Sequence, residues 1–172
     1  MNSQQRRNCV LEKLQKTEEP IKGNHLAKEL KVSRQVIVQD IALLRAQGQN
    51  IMATPLGYII PKENILKLRK TLVSQHRTYD EMKEELQIMI DYGAKVLDVV
   101  VEHPVYGELK GILDISHKQD LEGFMNGINE HNAEPLSTLT EGVHIHTIEI
   151  DNEENFEKMK LALYKKGYLI RD

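Results

Sequence analysis

The sequence predicts an α+β protein built in two parts, and three observations point there. Over residues 1–61, apolar residues recur three times at helical spacing and are followed by two short β-prone runs. Over residues 78–172, helical spacing alternates with Val- and Ile-rich stretches, the pattern of a mainly antiparallel sheet covered by helices. Charge changes sign at the same junction. Residues 1–77 carry 14 Lys/Arg against 6 Asp/Glu, a net of +8, whereas residues 78–172 carry 9 against 20, a net of −11.

The elements follow in order. Val10, Leu11 and Leu14 fall on one face of a first helix, Arg6 to Lys16, interrupted by Glu18-Glu19-Pro20. A second helix begins at Gly23, with Leu26 and Leu30 four residues apart. After the turn Lys31-Val32, Ser33 is a favourable N-cap for a third helix, Arg34 to Gln47. Ile37, Ile41 and Leu44 form its inward face, and Gly48 stops it. Residues 51–54 and 57–60, on either side of Pro55-Leu56, read as a hairpin that Pro61 closes. Ile65, Leu68 and Leu72 align over residues 63–75 and predict a connecting helix within a linker, residues 62–77.

Beyond the linker, a helix is expected from Tyr79 to Tyr92, ending at Gly93. Lys95 to Glu102 and Glu108 to Ser116 read as strands joined by the turn His103-Pro104-Val105-Tyr106-Gly107. A helix over Gln119 to Asn132 follows, then a third and fourth strand within Thr138 to Ile150, and a last helix from Asn155 to Lys166. Tyr168-Leu169-Ile170 can add an edge strand.

Composition removes several classes. Aromatic residues make up only 5% of the chain, so its cores must be built from Leu, Ile and Val. The single cysteine, Cys9, excludes an internal disulfide framework and any Cys-rich zinc finger. The opening MNSQQRRNCV holds no apolar run of signal-peptide type, and no window approaches the roughly 20 apolar residues of a membrane span. A cytoplasmic location without a membrane partner is expected.

Three helices with a tight turn between the second and third, followed by a hairpin, make a winged helix-turn-helix. Its third helix needs a polar outward face with donors near the amino terminus. Ser33, Arg34, Gln35, Val38 and Gln39 fall on that face. Arg pairs with guanine and Gln with adenine in the major groove, while Ser33 and the free N–H groups beside it can grip a phosphate. Arg6, Arg7 and the wing around Thr54 are candidate backbone contacts. The net +8 supplies the counterion release that binding double-stranded operator DNA exploits. The segment Leu26 to Ile41 resembles the winged-helix module of many small bacterial repressors, in which Leu-Ala, Val-Ser-Arg and Asp-Ile recur. A homodimer is expected, because one recognition helix reads few base pairs and two-fold proteins match two-fold operators.

The second part carries Gly142-Val143-His144-Ile145-His146-Thr147. On a strand, residues two apart share a face, so His144 and His146 project together and can chelate one metal ion. Surface histidines would show the same spacing. Further ligands could come from His76, His103, Glu84 or Glu85, whereas His25, His117 and His131 read as solvated residues.

The motifs Val101 to Gly107 and Glu141 to Thr147, with a histidine preceding Glu84-Glu85-Leu86, give a more specific resemblance. The chain resembles, over essentially its whole length, the niacin-responsive repressors of Gram-positive and related bacteria, whose carboxy-terminal part is called the 3H domain. The resemblance implies a repressor of NAD biosynthesis and niacin salvage genes with nicotinic acid, a small pyridine carboxylate, as corepressor. It also implies a divalent transition metal, nickel or zinc, held by His76, His144, His146 and an acid. That acid is Glu85, directly before Leu86, with Glu84 the alternative; the two differ by about 100° around a helix. His103 and Tyr106 are expected to line the ligand pocket, with contact between His103 and the metal left open. Three other readings remain: a metal-dependent enzyme fused to a winged helix, a pure metal sensor, and a dimerisation unit with structural histidines.

Overall fold

The computed structural model describes residues 1–62 and 67–171, and the chain divides into two compact units, Met1–Glu63 and Asn64–Asp172. In the first unit, α1 (Ser3–Lys16) starts at a capping box in which Asn2 and Gln5 satisfy each other's backbone N–H. α2 spans Gly23–Glu29, and α3 (Arg34–Ala46) is capped by Ser33, whose hydroxyl accepts from the Val36 N–H at 3.3 Å. Val10, Leu14, Leu26, Ile37, Ile41 and Leu44 are buried against one another where the three helices meet. Each such side chain removes about 1.5–3 kcal/mol worth of apolar surface from water, and this burial holds the three-helix arrangement.

The wing is the antiparallel pair β1 (Met52–Thr54) and β2 (Gly57–Ile59). It docks on the segment between α1 and α2 through two backbone hydrogen bonds of 2.8 Å, Ile21 N–H to Tyr58 O and Tyr58 N–H to Ile21 O. Gly57 is required there: its φ is +138°, and a Cβ would lie 2.4 Å from the Ile21 carbonyl oxygen. Arg45 Nε donates to Ile51 O at 2.7 Å and ties the end of α3 to the start of the wing.

The second unit runs β3 (Leu68–Gln75), α4 (Tyr79–Asp91), β4 (Lys95–His103), β5 (Gly107–Ile115), α5 (Lys118–Glu130), a 3₁₀ turn (Leu136–Thr140), β6 (Val143–Ile150) and α6 (Glu153–Lys165). The sheet order is β3-β6-β4-β5, antiparallel throughout. α4, α5 and α6 cover the face to which β6 turns His144, His146, Ile148 and Ile150, and an apolar core forms between them. The α+β architecture is as the sequence predicts.

Three details differ. The connecting helix expected over residues 63–75 is a strand from Leu68 onward, and Ile65 lies outside the described residues. A four-residue apolar spacing satisfies both a helix face and a strand face. The choice falls to β6, which pairs with all eight residues from Leu68 to Gln75. The two strands expected within Thr138 to Ile150 are one strand, β6, preceded by the 3₁₀ turn. The 168–170 segment makes a single bridge, Ser74 to Leu169, instead of a full strand.

Candidate metal centre and nucleic-acid interface

On α4, Met82, Leu86 and Met89 face the core, and Glu85 shares their phase. The apolar stripe that packs the helix therefore carries a carboxylate into the interior, fully buried. Glu84, one residue earlier, points elsewhere: it accepts from Lys166 Nζ at 2.5 Å and from the Tyr168 hydroxyl. Glu85 meets the histidines. Its Oε2 lies 3.2 Å from Nε2 of both His76 and His144, and its Oε1 lies 3.7 Å from His146 Nε2. The rings of His76 and His144 are 4.6 Å apart between centroids, and those of His144 and His146 are 4.7 Å apart.

Backbone carbonyls set the tautomers. His144 Nδ1 donates to Gly142 O at 2.8 Å, and His146 Nδ1 donates to Asp98 O at 2.7 Å. A carbonyl can only accept, so each Nδ1 carries the proton, and in the neutral ring the Nε2 lone pair faces Glu85. A bulge between Val96 and Asp98, which leaves Leu97 as the extra residue, attends the Asp98 carbonyl that takes the His146 proton. Gly142 has φ +92°, and a Cβ there would lie 2.1 Å from the His76 carbonyl oxygen, so a glycine lets the His76 segment close over β6.

This arrangement is electrostatically incomplete. Burial pushes the Glu85 carboxyl up, but the imidazoles of His144 and His146, which bring positive charge to it when they carry a second proton, outweigh it and hold the group well below the usual carboxylate range. Burial drives His76 down to about 4 against the pull of Glu85, with His144 and His146 adding to the depression. His146 goes the other way: burial lowers it, but Glu85 more than compensates and raises it. Glu85 Oε1 is a buried oxygen without a hydrogen-bond partner. Two lone pairs turned toward a buried carboxylate with an unpartnered oxygen are what a cation neutralises. His76, Glu85 and His144 each offer a ligand atom within 4.8 Å of the others. The donor set of imidazole nitrogen and carboxylate oxygen suits a first-row divalent ion.

A cavity of about 260 Å³ opens on the imidazole side. His76, His144 and His146 form its polar end, and Val99, Gly111, Leu113, Phe124, Ile128 and Leu136 line much of the rest. The apolar walls come from β4, β5, α5 and the 3₁₀ turn, and no motif in the sequence marks them. His103 and Tyr106 are not brought to this site. His103 Nδ1 accepts the N–H groups of Val105 at 3.1 Å and Tyr106 at 3.2 Å, organising the β4–β5 turn on which Tyr106 is 74% exposed. His25, His117 and His131 are exposed, as expected.

In the first unit, Ser33, Arg34, Gln35 and Gln39 are exposed along α3, and Val38 is half-buried beside them. Arg6 is not a free phosphate contact. It forks onto the buried Asp40, with Nε at 2.6 Å and Nη2 at 3.2 Å, and so ties α1 to α3. Arg7 Nη1 lies 3.8 Å from the same carboxylate. The Thr54 hydroxyl is engaged within its turn, donating to Gly57 O at 2.9 Å.

Comparison with known proteins agrees with both units. Residues 69–172 match the 3H domain family, and residues 6–59 match an HTH domain. A Thermotoga maritima protein named probable transcription repressor NiaR is 45% identical over 171 residues, covering 98% of this chain and 95% of its own length. Transcription repressor NadR of Bacillus subtilis is 38% identical over 170 residues, covering 97% and 94%.

Proposed function

The chain belongs to the transcription repressors of the NiaR and NadR type, HTH proteins carrying a 3H domain; from that premise we propose that it represses NAD biosynthesis and niacin salvage genes, with nicotinic acid as corepressor. A divalent transition metal, nickel or zinc, is held by His76, Glu85, His144 and His146. Relatives named as repressors make the chain a DNA-binding regulator and not an enzyme.

The observation that carries the reading is the pair of tautomer-locked histidines facing Glu85, whose Oε1 has no other partner. When bound, the metal supplies a positive centre that draws the carboxylate or ring nitrogen of the ligand. The protein does the rest. Gly142 O and Asp98 O hold the two imidazoles in register, Glu85 balances the charge, and the apolar cavity takes a flat ring while keeping water away. On α3, Arg34, Gln35 and Gln39 read base edges and Ser33 grips a phosphate, with Val38 against a thymine methyl. Two copies present two such helices to a two-fold operator in the cytoplasm.

Corepression requires that nicotinic acid bind more tightly to the DNA-competent state than to the other. A typical coupling of about 1–3 kcal/mol corresponds to 5- to 150-fold. Fluorescence anisotropy of an operator fragment titrated with the metal-loaded protein tests this. Nicotinate should tighten operator binding at least about 5-fold, and an unchanged affinity would refute the corepressor role.

A further inference from the structure

Asp98 is an acidic residue buried within the sheet, 5% exposed, between Thr147 of β6 and Ile112 of β5. Its carbonyl serves His146, but any residue at this position has a carbonyl, so that role does not call for a carboxylate. A buried carboxylate is costly unless its oxygens are satisfied, and both are. Oδ1 accepts the backbone N–H of Thr147 at 3.1 Å, and Oδ2 lies 3.3 Å from Lys110 Nζ. The carbonyl of the same residue accepts from His146 Nδ1 at 2.7 Å. Asp98 therefore supplies acceptors to two successive residues of β6, its side chain to Thr147 and its main chain to His146.

The register explains why two acceptors are needed there. Val96 faces Ile148 and Asp98 faces Thr147, so Leu97 is the extra residue of a bulge. In a regular antiparallel ladder, strand N–H groups are taken by carbonyls of the facing strand. A bulge disrupts that ladder locally and turns groups of the strand in new directions. Here the Thr147 N–H meets a carboxylate oxygen, which leaves the Asp98 carbonyl to the imidazole. Lys110, across from Val100 on β5, holds the second oxygen and keeps Oδ1 turned toward β6.

We propose that Asp98 is a positioning residue for His146: its carboxylate takes the Thr147 N–H in place of a ladder carbonyl, so that its own carbonyl is free to fix the Nδ1–H tautomer. Without the carboxylate, the Thr147 N–H and His146 Nδ1 compete for one carbonyl. The ring then spends part of its time protonated on Nε2, where it has no lone pair to offer a metal. Outer partners of metal-binding histidines typically contribute about 10- to 100-fold in affinity. The affinity arm of the test rests on the metal reading of the histidine site, and the tautomer arm does not.

Nitrogen-15 NMR of the metal-free, full-length chain reads the His146 tautomer, and a competitive chelator titration with zinc reads affinity. Asp98→Ala should show the Nε2–H form and bind zinc about 10- to 100-fold more weakly. Asp98→Asn, which keeps an oxygen acceptor for Thr147, should retain the Nδ1–H tautomer and lose less affinity than Asp98→Ala. A general loss of stability would neither switch the tautomer of one ring nor be rescued by asparagine. An unchanged tautomer in Asp98→Ala, or an affinity loss below about 10-fold, overturns the proposal. So does an Asp98→Asn variant that behaves like Asp98→Ala. If Asp98→Ala does not fold, the wild type decides: scalar coupling through the hydrogen bond from the Thr147 nitrogen should reach the Asp98 carboxyl carbon, and coupling to its main-chain carbonyl carbon overturns the proposal. If the tautomer follows Asp98 as expected while the wild type binds neither zinc nor nickel, the positioning role stands and the metal reading falls. Tight zinc binding in all three chains with an unchanged tautomer overturns the positioning role and leaves the metal reading intact.

Discussion

Gly57→Ala and Gly48→Ala form a matched pair that tests how the wing is attached. Both glycines have positive φ, +138° for Gly57 and +89° for Gly48, so both variants carry a backbone penalty of about 1–2 kcal/mol, partly offset by reduced freedom of the unfolded chain. Their surroundings differ. Nothing lies within 4 Å of a Cβ on Gly48, whereas a Cβ on Gly57 meets Ile21 O at 2.4 Å, Ile21 C at 2.5 Å and Lys22 N at 2.7 Å. These are backbone atoms that no rotamer change can move. The wing must retreat, losing the two hydrogen bonds between Ile21 and Tyr58, each worth about 1 kcal/mol.

Gly48→Ala should therefore cost about 1 kcal/mol or less, and Gly57→Ala about 3–4 kcal/mol. The first unit spans residues 1–63, and at 0.05–0.15 kcal/mol per residue its whole stability is about 3–9 kcal/mol. Gly57→Ala should leave the wing detached and the helices near their limit. Hydrogen exchange read by mass spectrometry on peptides covering 17–24 and 51–60 should show lost protection in Gly57→Ala alone. Operator affinity should drop with it. Equal protection loss in the two variants would mean that the contact with Ile21 contributes nothing, and the docking argument would be wrong.

Three further outcomes are expected. Glu85→Gln, an isostere without charge, should weaken zinc or nickel binding by at least about 100-fold in a competitive chelator titration, since it removes the only carboxylate from the donor set. Arg34→Ala and Gln39→Ala should each reduce operator affinity by about 1–3 kcal/mol while leaving the thermal melt unchanged, because both side chains are exposed. Acidification of the metal-free protein should destabilise the second unit between pH 6.5 and about 4. His76 stays neutral there while the unfolded chain takes up a proton. The full separation from 6.5 to 4 would correspond to about 3 kcal/mol for a sealed ring, and water on the cavity side reduces the expectation to about 2 kcal/mol. His146, whose value is raised, contributes in the opposite sense: its stabilisation is present at low pH and is lost as pH rises through its folded value. Glu85 withdraws its contribution only below the ordinary carboxylate range. A urea midpoint that falls equally in wild type and His76→Phe between pH 6.5 and 4.5 would exclude the His76 assignment.

Much of the first unit was legible because its signals are local. The apolar phase of α1 and α3, the Ser33 cap and the hairpin residues lie within a few positions of what they determine. Arg6 was misread as a phosphate contact because its partner, Asp40, lies 34 residues away and looks like surface in the sequence. In the second unit, His144 and His146 were paired correctly by strand geometry alone. Their orientation, with Nδ1 committed to Gly142 O and Asp98 O, depends on a bulge that no spacing announces. The choice of Glu85 over Glu84 has a sequence signal, since Glu85 shares the phase of Met82, Leu86 and Met89.

The sequence by itself determined the two units, the third helix with its exposed polar face, the charge division and the histidines that share a face. Those follow from backbone periodicity and side-chain chemistry, which act over a few residues. Tertiary structure decided that Leu68–Gln75 is a strand, because its pairing partner β6 lies about 75 residues later in the chain. It also decided that a cavity lies beside the histidines. A cavity is space left between side chains from β4, β5, α5 and the 3₁₀ turn, so packing defines it and no single segment encodes it.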